Sequence, residues 1–509
     1  MTRSRPRSLA LIGLPLAALL AVSGCFSGTA ASSEGSTTGD RIAVAHMQPP
    51  RSGLSPLSDD AFKLSRWSTS ETLVTLNAAG DAEPGLATEW KRVNPRSWHF
   101  TLRDKVTFHN GQPLTSASVV NSLEHAIKAK PVPRILDGVD LTVAADGDHA
   151  VTMTTGAPDP LLPQRLSSPQ LAIFDKSAYT TKGVNPVGTG TGPFKIVKVD
   201  GITGATLDRY DGYWGDKAKA AGIDVKYVPD GTARAAALRT GTANVVEAIP
   251  AGQAASVDQK LLTEVPMPRT NTLYLNTEKG PFKDPAVRAA AREAINPEAI
   301  VKSVYEGRAD VASGLLGPAL PYAADYRKDA DYQKLLNARA TPKKVNGVKI
   351  TLGTFTDRAE LPEVAVMIEQ QLKAAGFIVK QDVREYQYIE ADALAGKFDA
   401  FILSRATVLD SGDPVAYLAS DFTCKGGFSI SQLCAKQVDQ AIDTASQTDA
   451  GKDRQHAIML AEAQVLGTDA AIPLLHERVI QGETANVKDA ARDPRERMLV
   501  TADTTLTGK

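Results

Sequence analysis

Cysteine is scarce in this chain, with three in 509 residues, too few for a disulfide-dense scaffold. An excess of one charge is missing too. The 57 Lys and Arg face 58 Asp and Glu for a net charge of −1, which gives no support to a broad nucleic-acid or anionic-lipid surface. The apolar run from Leu9 to Val22 spans 14 residues, short of the roughly 20 that a membrane-spanning helix needs. Catalytic motifs are absent as well: there is no Walker A sequence and no serine flanked by glycines as in a nucleophile elbow. The seven histidines, at 46, 99, 109, 125, 149, 456 and 476, show no metal-ligand spacing such as i, i+4. What remains is a soluble-globular composition, 43% apolar and 23% charged. Its length suits about three domains of roughly 150 residues.

The N-terminus has a clear pattern. Arg3, Arg5 and Arg7 precede the Leu9–Val22 run, which has the length of a signal-peptide core. No arginine pair is adjacent, so general secretion is expected rather than the twin-arginine route. Val22-Ser23-Gly24-Cys25 resembles the bacterial lipobox, in which cleavage precedes the cysteine and its thiol receives diacylglycerol; an ordinary signal peptide with a nearby cysteine is the alternative. Residues 1–24 are thus expected to be a lipoprotein signal peptide. Their removal takes three arginines and no acids, leaving 54 basic against 58 acidic residues, a charge of −4 over 485 residues. Residues 25–40 would be lipidated Cys25 and a Ser/Thr/Gly-rich tether, with a reach of about 20 Å. The body behind it is expected outside the cytoplasm, held at the outer face of the cell membrane by Cys25.

Cys424 and Cys434 are then left ten positions apart in an oxidising compartment. A disulfide is the natural reading. A metal site competes, although a lone pair with no histidine nearby is a poor zinc signal.

Periodicity gives the organisation. Alternating runs such as Trp98–Leu102 suggest strands, and Thr115 or Ser116 is a cap before a helix at Val119–Ile127. Asp284-Pro285 and Asn296-Pro297 each pair an N-cap with proline at the first helical position. Then VKITLGTF, ELPEVAVMIEQQLKAAG, FIVKQDV, Tyr386–Ala395 and AFILSRA alternate strand and helix. That alternation implies a parallel sheet, with ligands beyond the carboxyl ends of its strands. Two loops are placed there, Thr354–Leu361 and Thr407–Ala416. His46 also ends a strand. Gly188-Thr189-Gly190-Thr191-Gly192 tempts a phosphate-loop reading, but Pro193 and a strand follow, so a turn is expected.

Several segments together resemble family 5 solute-binding proteins, the dipeptide, oligopeptide and nickel receptors of bacterial ABC importers. They are Glu71-Thr72-Leu73-Val74, Pro84-Gly85-Leu86-Ala87 with Trp90, Phe100-Thr101-Leu102-Arg103, and Phe108-His109-Asn110-Gly111-Gln112-Pro113-Leu114. Gly190-Thr191-Gly192-Pro193-Phe194, Tyr213-Trp214-Gly215 and Phe282-Lys283-Asp284-Pro285-Ala286-Val287-Arg288 follow in the family's order. The resemblance implies an α/β, two-lobed periplasmic-binding-protein-like fold of type II, in the large peptide-binding subclass. Such a fold has an extra subdomain and a central ligand cleft closed by hinge bending. The expected boundaries are 41–70, 185–268 and 478–509 for the core of lobe I, 71–184 for its additional subdomain, and 269–477 for lobe II.

Site residues come from the same resemblance. In the dipeptide-binding branch an aspartate before Gly-Asp-Pro pairs with the ligand's α-ammonium, and Asp410-Ser411-Gly412-Asp413-Pro414 nominates Asp410. An arginine in the loop before the preceding long helix holds the ligand's carboxylate, which nominates Arg358; a guanidinium fork suits a carboxylate. Asp410 capping a turn and Arg358 lying on the surface remain the alternatives. The branch also carries a disulfide after the aspartate, at the place of Cys424 and Cys434. One departure is Ser404-Arg405 where the branch has Gly-Trp, which removes a stacking surface and adds a positive charge near the pocket. Trp90, Trp98 and Trp214 are expected to pack rather than stack on ligand.

The function implied is a lipid-anchored receptor of an ABC importer. It would capture short peptides and deliver them to the permease subunits as a monomer, without chemistry, metal or cofactor. A receptor for a nickel chelate or another non-peptide solute is the alternative on the same fold, and an extracytoplasmic hydrolase the alternative in a different class.

Overall fold

The computed structural model describes residues 40–508 apart from 78–79, 137, 182 and 409–410. The signal sequence, Cys25 with nearly all of the tether, and Asp410 lie outside the described residues. Among the described residues no helix is long and apolar enough to cross a membrane.

Eleven strands form one sheet: β1 (Arg41–His46), β2 (Phe194–Val199), β3 (Gly204–Arg209), β4 (Gly222–Tyr227), β5 (Val245–Val246), β6 (Leu262–Leu275), β7 (Ala309–Val311), β8 (Val348–Phe355), β9 (Phe377–Arg384), β10 (Ala400–Ala406) and β11 (Ala471–Glu483). Their order is β2-β3-β4-β1-β5-β11-β6-β10-β8-β9, with β7 on the side of β11. The first five belong to one lobe and the last three to the other. β6 and β11, 14 and 13 residues long, run antiparallel through both. Their register slips between Pro266 and Thr270, where Pro266 and Pro268 deny the ladder two N–H donors. The Thr407 amide and hydroxyl both bond to the Pro268 carbonyl instead.

In the second lobe β8 pairs in parallel with both β9 and β10, and the helix Glu360–Ala374 crosses between β8 and β9. The expected caps form: Asp284 accepts from the Ala286 amide, Asn296 from Ala299, and Thr115 from Ser118. Gly376 ends the crossover helix at φ +101°, a conformation that a side chain resists. A four-stranded antiparallel sheet, ordered Ala87–Asn94, Ser97–Leu102, Ala150–Thr155, Leu141–Ala145, forms the subdomain with the helix Ser116–Lys128 against it.

The apolar residues close into separate cores. The largest draws only on Leu273–Leu475, a second on Ile42–Val245 with Val487–Val500, and a third on Leu73–Ile173. Gly190 and Gly192 lie where the chain meets another backbone: a Cβ on either would come within 2.1 Å of the Thr69 or Ser68 carbonyl oxygen. The Gly-Thr-Gly-Thr-Gly run is a close-packed turn. Trp90, Trp98 and Trp214 pack against the subdomain core, and Arg103 covers the Trp214 ring at 4.1 Å.

Candidate functional site

A cleft of about 660 Å³ opens where the two lobes meet at β6 and β11. This volume lies in the range of small-molecule pockets. The first lobe supplies the segment after β1, the helix Ala61–Arg66 and residues 247–251. The second supplies the carboxyl ends of β8 and β10, as expected for a parallel sheet. Phe355, Tyr386 and Phe428 give that side an aromatic wall.

The floor is a chain of ion pairs. Arg66 bonds to Glu247 through Nη1, and to Glu496 Oε2 at 2.9 Å through Nη2. Arg269, at the register slip of β6, donates from Nε to Glu496 Oε1 at 2.7 Å. Glu496 therefore ties the first lobe to the crossing strands. Burial works against its charge, but Arg269, Arg66 and Arg358 outweigh burial and hold the carboxyl below its ordinary value. Glu247 also accepts the Met47 amide at 2.7 Å and faces His46, Nδ1 to Oε2 at 3.0 Å. His46 is buried against Trp67 and Tyr227, and burial pushes it toward the neutral form.

Arg358 follows β8 and lines the cleft. Among the described residues it makes one hydrogen bond, Nη1 to Glu477 Oε2 at 2.8 Å, so Nε and Nη2 are free to donate. Glu477 lies on β11, and the pair spans strands of the second lobe and the crossing region. Asp410 lies outside the described residues, so the geometry here concerns Arg358 alone.

Arg405 corrects the sequence expectation. It lines the cleft, but its charge is not on offer to a ligand. Nε and Nη2 hold Asp421 at 2.8 and 2.7 Å, and Phe428 lies over the guanidinium at 4.4 Å. The partner, 16 residues further on, cancels the charge that the sequence alone leaves bare.

Cys424 and Cys434 are joined by a disulfide. No histidine is among the described residues lining the cleft. The Asp329, Asp331 and His456 cluster, with ligand atoms within 4.8 Å of one another, lies outside the cleft lining. Sequence reasoning missed Arg66, Arg269, Glu477 and Glu496, which carry no motif. It also passed over Glu360, although the residue lies in a loop already placed at the strand ends.

Comparison with known proteins settles the class. The profile of the bacterial extracellular solute-binding proteins, family 5 middle region, matches residues 81–429. The chain belongs to family 5 of the bacterial extracellular solute-binding proteins. This family 5 protein is 26% identical over 396 residues to the nickel-binding protein NikA of Staphylococcus aureus, covering 76% of this chain and 78% of that one. It is 27% identical over 454 residues to the dipeptide-binding protein of Escherichia coli, covering 81% and 84%. The fold matches that of DppA from Helicobacter pylori in complex with the peptide STSA, at a TM-score of 0.74 and 21% identity over 92% of this chain and 98% of that one. The expected two-lobed architecture is therefore the observed one. As a family 5 member the chain is an extracytoplasmic solute-binding protein of the kind that serves ABC importers, and its relatives are binding proteins rather than enzymes.

Proposed function

We propose that this receptor captures short peptides in the interlobe cleft and delivers them to an ABC permease, without chemistry of its own. The observation that carries the reading is Arg358. It is a guanidinium fixed by Glu477 through one nitrogen, with further donors open to the cleft, and a ligand carboxylate would take these as a fork. Asp410 would meet the peptide's α-ammonium from the loop after β10, and backbone hydrogen bonds would read the peptide between them. Lobe I (41–70, 185–268 and 478–509), its subdomain (71–184) and lobe II (269–477) are the bodies that would close over it, bending at the register slip of β6. Lipidated Cys25 and its tether would keep the monomeric receptor at the outer face of the membrane.

Native mass spectrometry of the purified protein, before and after mild denaturation, tests this reading. A released mass in the peptide range, with binding lost in Arg358→Met for free-carboxylate peptides but not for their amides, is the expected result. A metal-chelate mass, or equal loss for acids and amides, would refute it.

A further inference from the structure

Charges in the cleft are matched almost throughout. Beyond the floor, Arg308 and Arg478 meet Glu264 and Asp310. Arg134 meets Asp59, and Lys63 meets Asp60. Arg234 has no carboxylate, but its guanidinium is filled by the carbonyls of Val228, Pro229 and Ala248 at 2.7–3.2 Å. The acids are equally occupied: Asp357 accepts the Tyr386 amide, and Asp493 those of Arg495, Arg497 and Met498.

Glu360 is different. It lines the cleft at the first turn of the helix Glu360–Ala374, half-buried. Among the described residues its carboxylate accepts no hydrogen bond beyond its own amide. The charged and titratable groups facing it are Arg358 and Arg234, Glu477 and Glu363, and Tyr305. Arg234 is filled by carbonyls, Arg358 attracts Glu360 through its charge but makes no hydrogen bond to it, and the two acids repel it. Burial and Glu477 accordingly raise its pKa. A half-buried carboxyl with no donor among the described residues bears part of the cost of desolvation until something that enters the cleft supplies one.

We infer that Glu360 is a specificity residue for a cationic group on the ligand, so that the receptor selects peptides carrying a basic side chain. The inference rests on the peptide reading above, in which Arg358 and Asp410 take the two ends of the zwitterion. Glu360 is then left for a third, positive group, and the preferred ligand bears a net positive charge. A lysine or arginine side chain donates the charge-assisted hydrogen bond that Glu360 lacks.

The test is calorimetric titration of the full-length protein with Lys-Ala-Ala, Ala-Lys-Ala and Ala-Ala-Lys, each beside its Nε-acetyl-lysine counterpart. At least one free-lysine peptide is expected to bind about tenfold or more tightly than its acetylated form. Glu360→Gln should bring that ratio to about one, with affinity for the acetylated form and the melting temperature unchanged. Glu360→Asp, which keeps the charge, should retain part of the preference and guards against a folding defect in the first variant. Ratios near one in the wild type, or a preference that survives Glu360→Gln, would overturn the inference and leave the peptide reading standing. An effect of Glu360→Gln that disappears on N-terminal acetylation would also overturn it, because Glu360 would then serve the α-ammonium. A wild type that binds no peptide in either form refutes the peptide reading, and the inference with it.

Discussion

Lowering the pH from 7 to 5 should loosen the crossing strands through His476. This residue sits on β11 opposite Thr270 of β6 and Asp310 of β7, and is 4% exposed. The Thr270 hydroxyl donates to the Leu315 carbonyl at 2.7 Å and lies 2.9 Å from His476 Nδ1. A hydroxyl has one hydrogen to give, so Nδ1 must be the donor and the ring is the neutral Nδ1–H tautomer. Burial, then the charge of Arg327, lowers its pKa from 6.5 to about 4, with Asp310 opposing. The folded value is depressed, so the stabilisation is fully present above pH 6.5 and is lost as pH falls toward 4. At about 1.36 kcal/mol per pH unit, the whole window is worth about 3 kcal/mol, and the part between pH 7 and pH 5 about 2 kcal/mol. Native-state hydrogen exchange of the β11 amides reads this locally. Wild-type opening should become easier by about that amount at pH 5, and His476→Gln should show about none of the change. An NMR titration that places His476 near 6.5, or equal pH dependence in both proteins, would refute the reasoning.

Two further outcomes follow from packing. Asp421→Asn leaves Arg405 buried beneath Phe428 without its counter-charge, which should cost about 3 kcal/mol or more in urea unfolding, while Arg405→Met with Asp421→Asn should recover much of that loss; a single variant as stable as wild type would show that the pair contributes nothing. Gly192→Ala drives a methyl into the Ser68 carbonyl and should destabilise the first lobe by at least about 1–3 kcal/mol, seen as a lower melting temperature; an unchanged melt would mean that the turn yields freely.

The second lobe was legible because its signals are local. Strand and helix periods alternate between Val348 and Ala406, and each proline at a helix start follows its capping Asp or Asn. The crossing strands were not legible. β6 contains Pro266 and Pro268 and β11 contains Pro473, residues that argue against long strands, and only the pairing across some 200 positions overrides them. Arg358, which lines the cleft, was nominated through a motif-bearing neighbourhood. Glu496 and Arg269 were not, because their meaning lies in a contact made 227 residues apart. Arg405 was misjudged for the same reason: a charge read from sequence is bare until its partner is known. Glu360 went unmarked because an acidic residue at a helix N-terminus is ordinary, and what distinguishes it is the lack of a donor among the described residues.

The separate cores have an evolutionary consequence. Some residues that face the cleft, such as Tyr305, Phe355 and Leu499, also belong to the apolar cores, but Arg358 and Glu360 lie outside them. On the reading proposed above, a change of side chain at 358 or 360 would alter what is bound while disturbing little of the apolar packing that keeps the lobes folded. At those two positions selection could explore specificity with little loss of stability. A scaffold divided in this way can diverge in ligand while its frame stays constant, which accords with a single architecture shared by a nickel-binding and a dipeptide-binding relative, each at little more than a quarter identity to this chain.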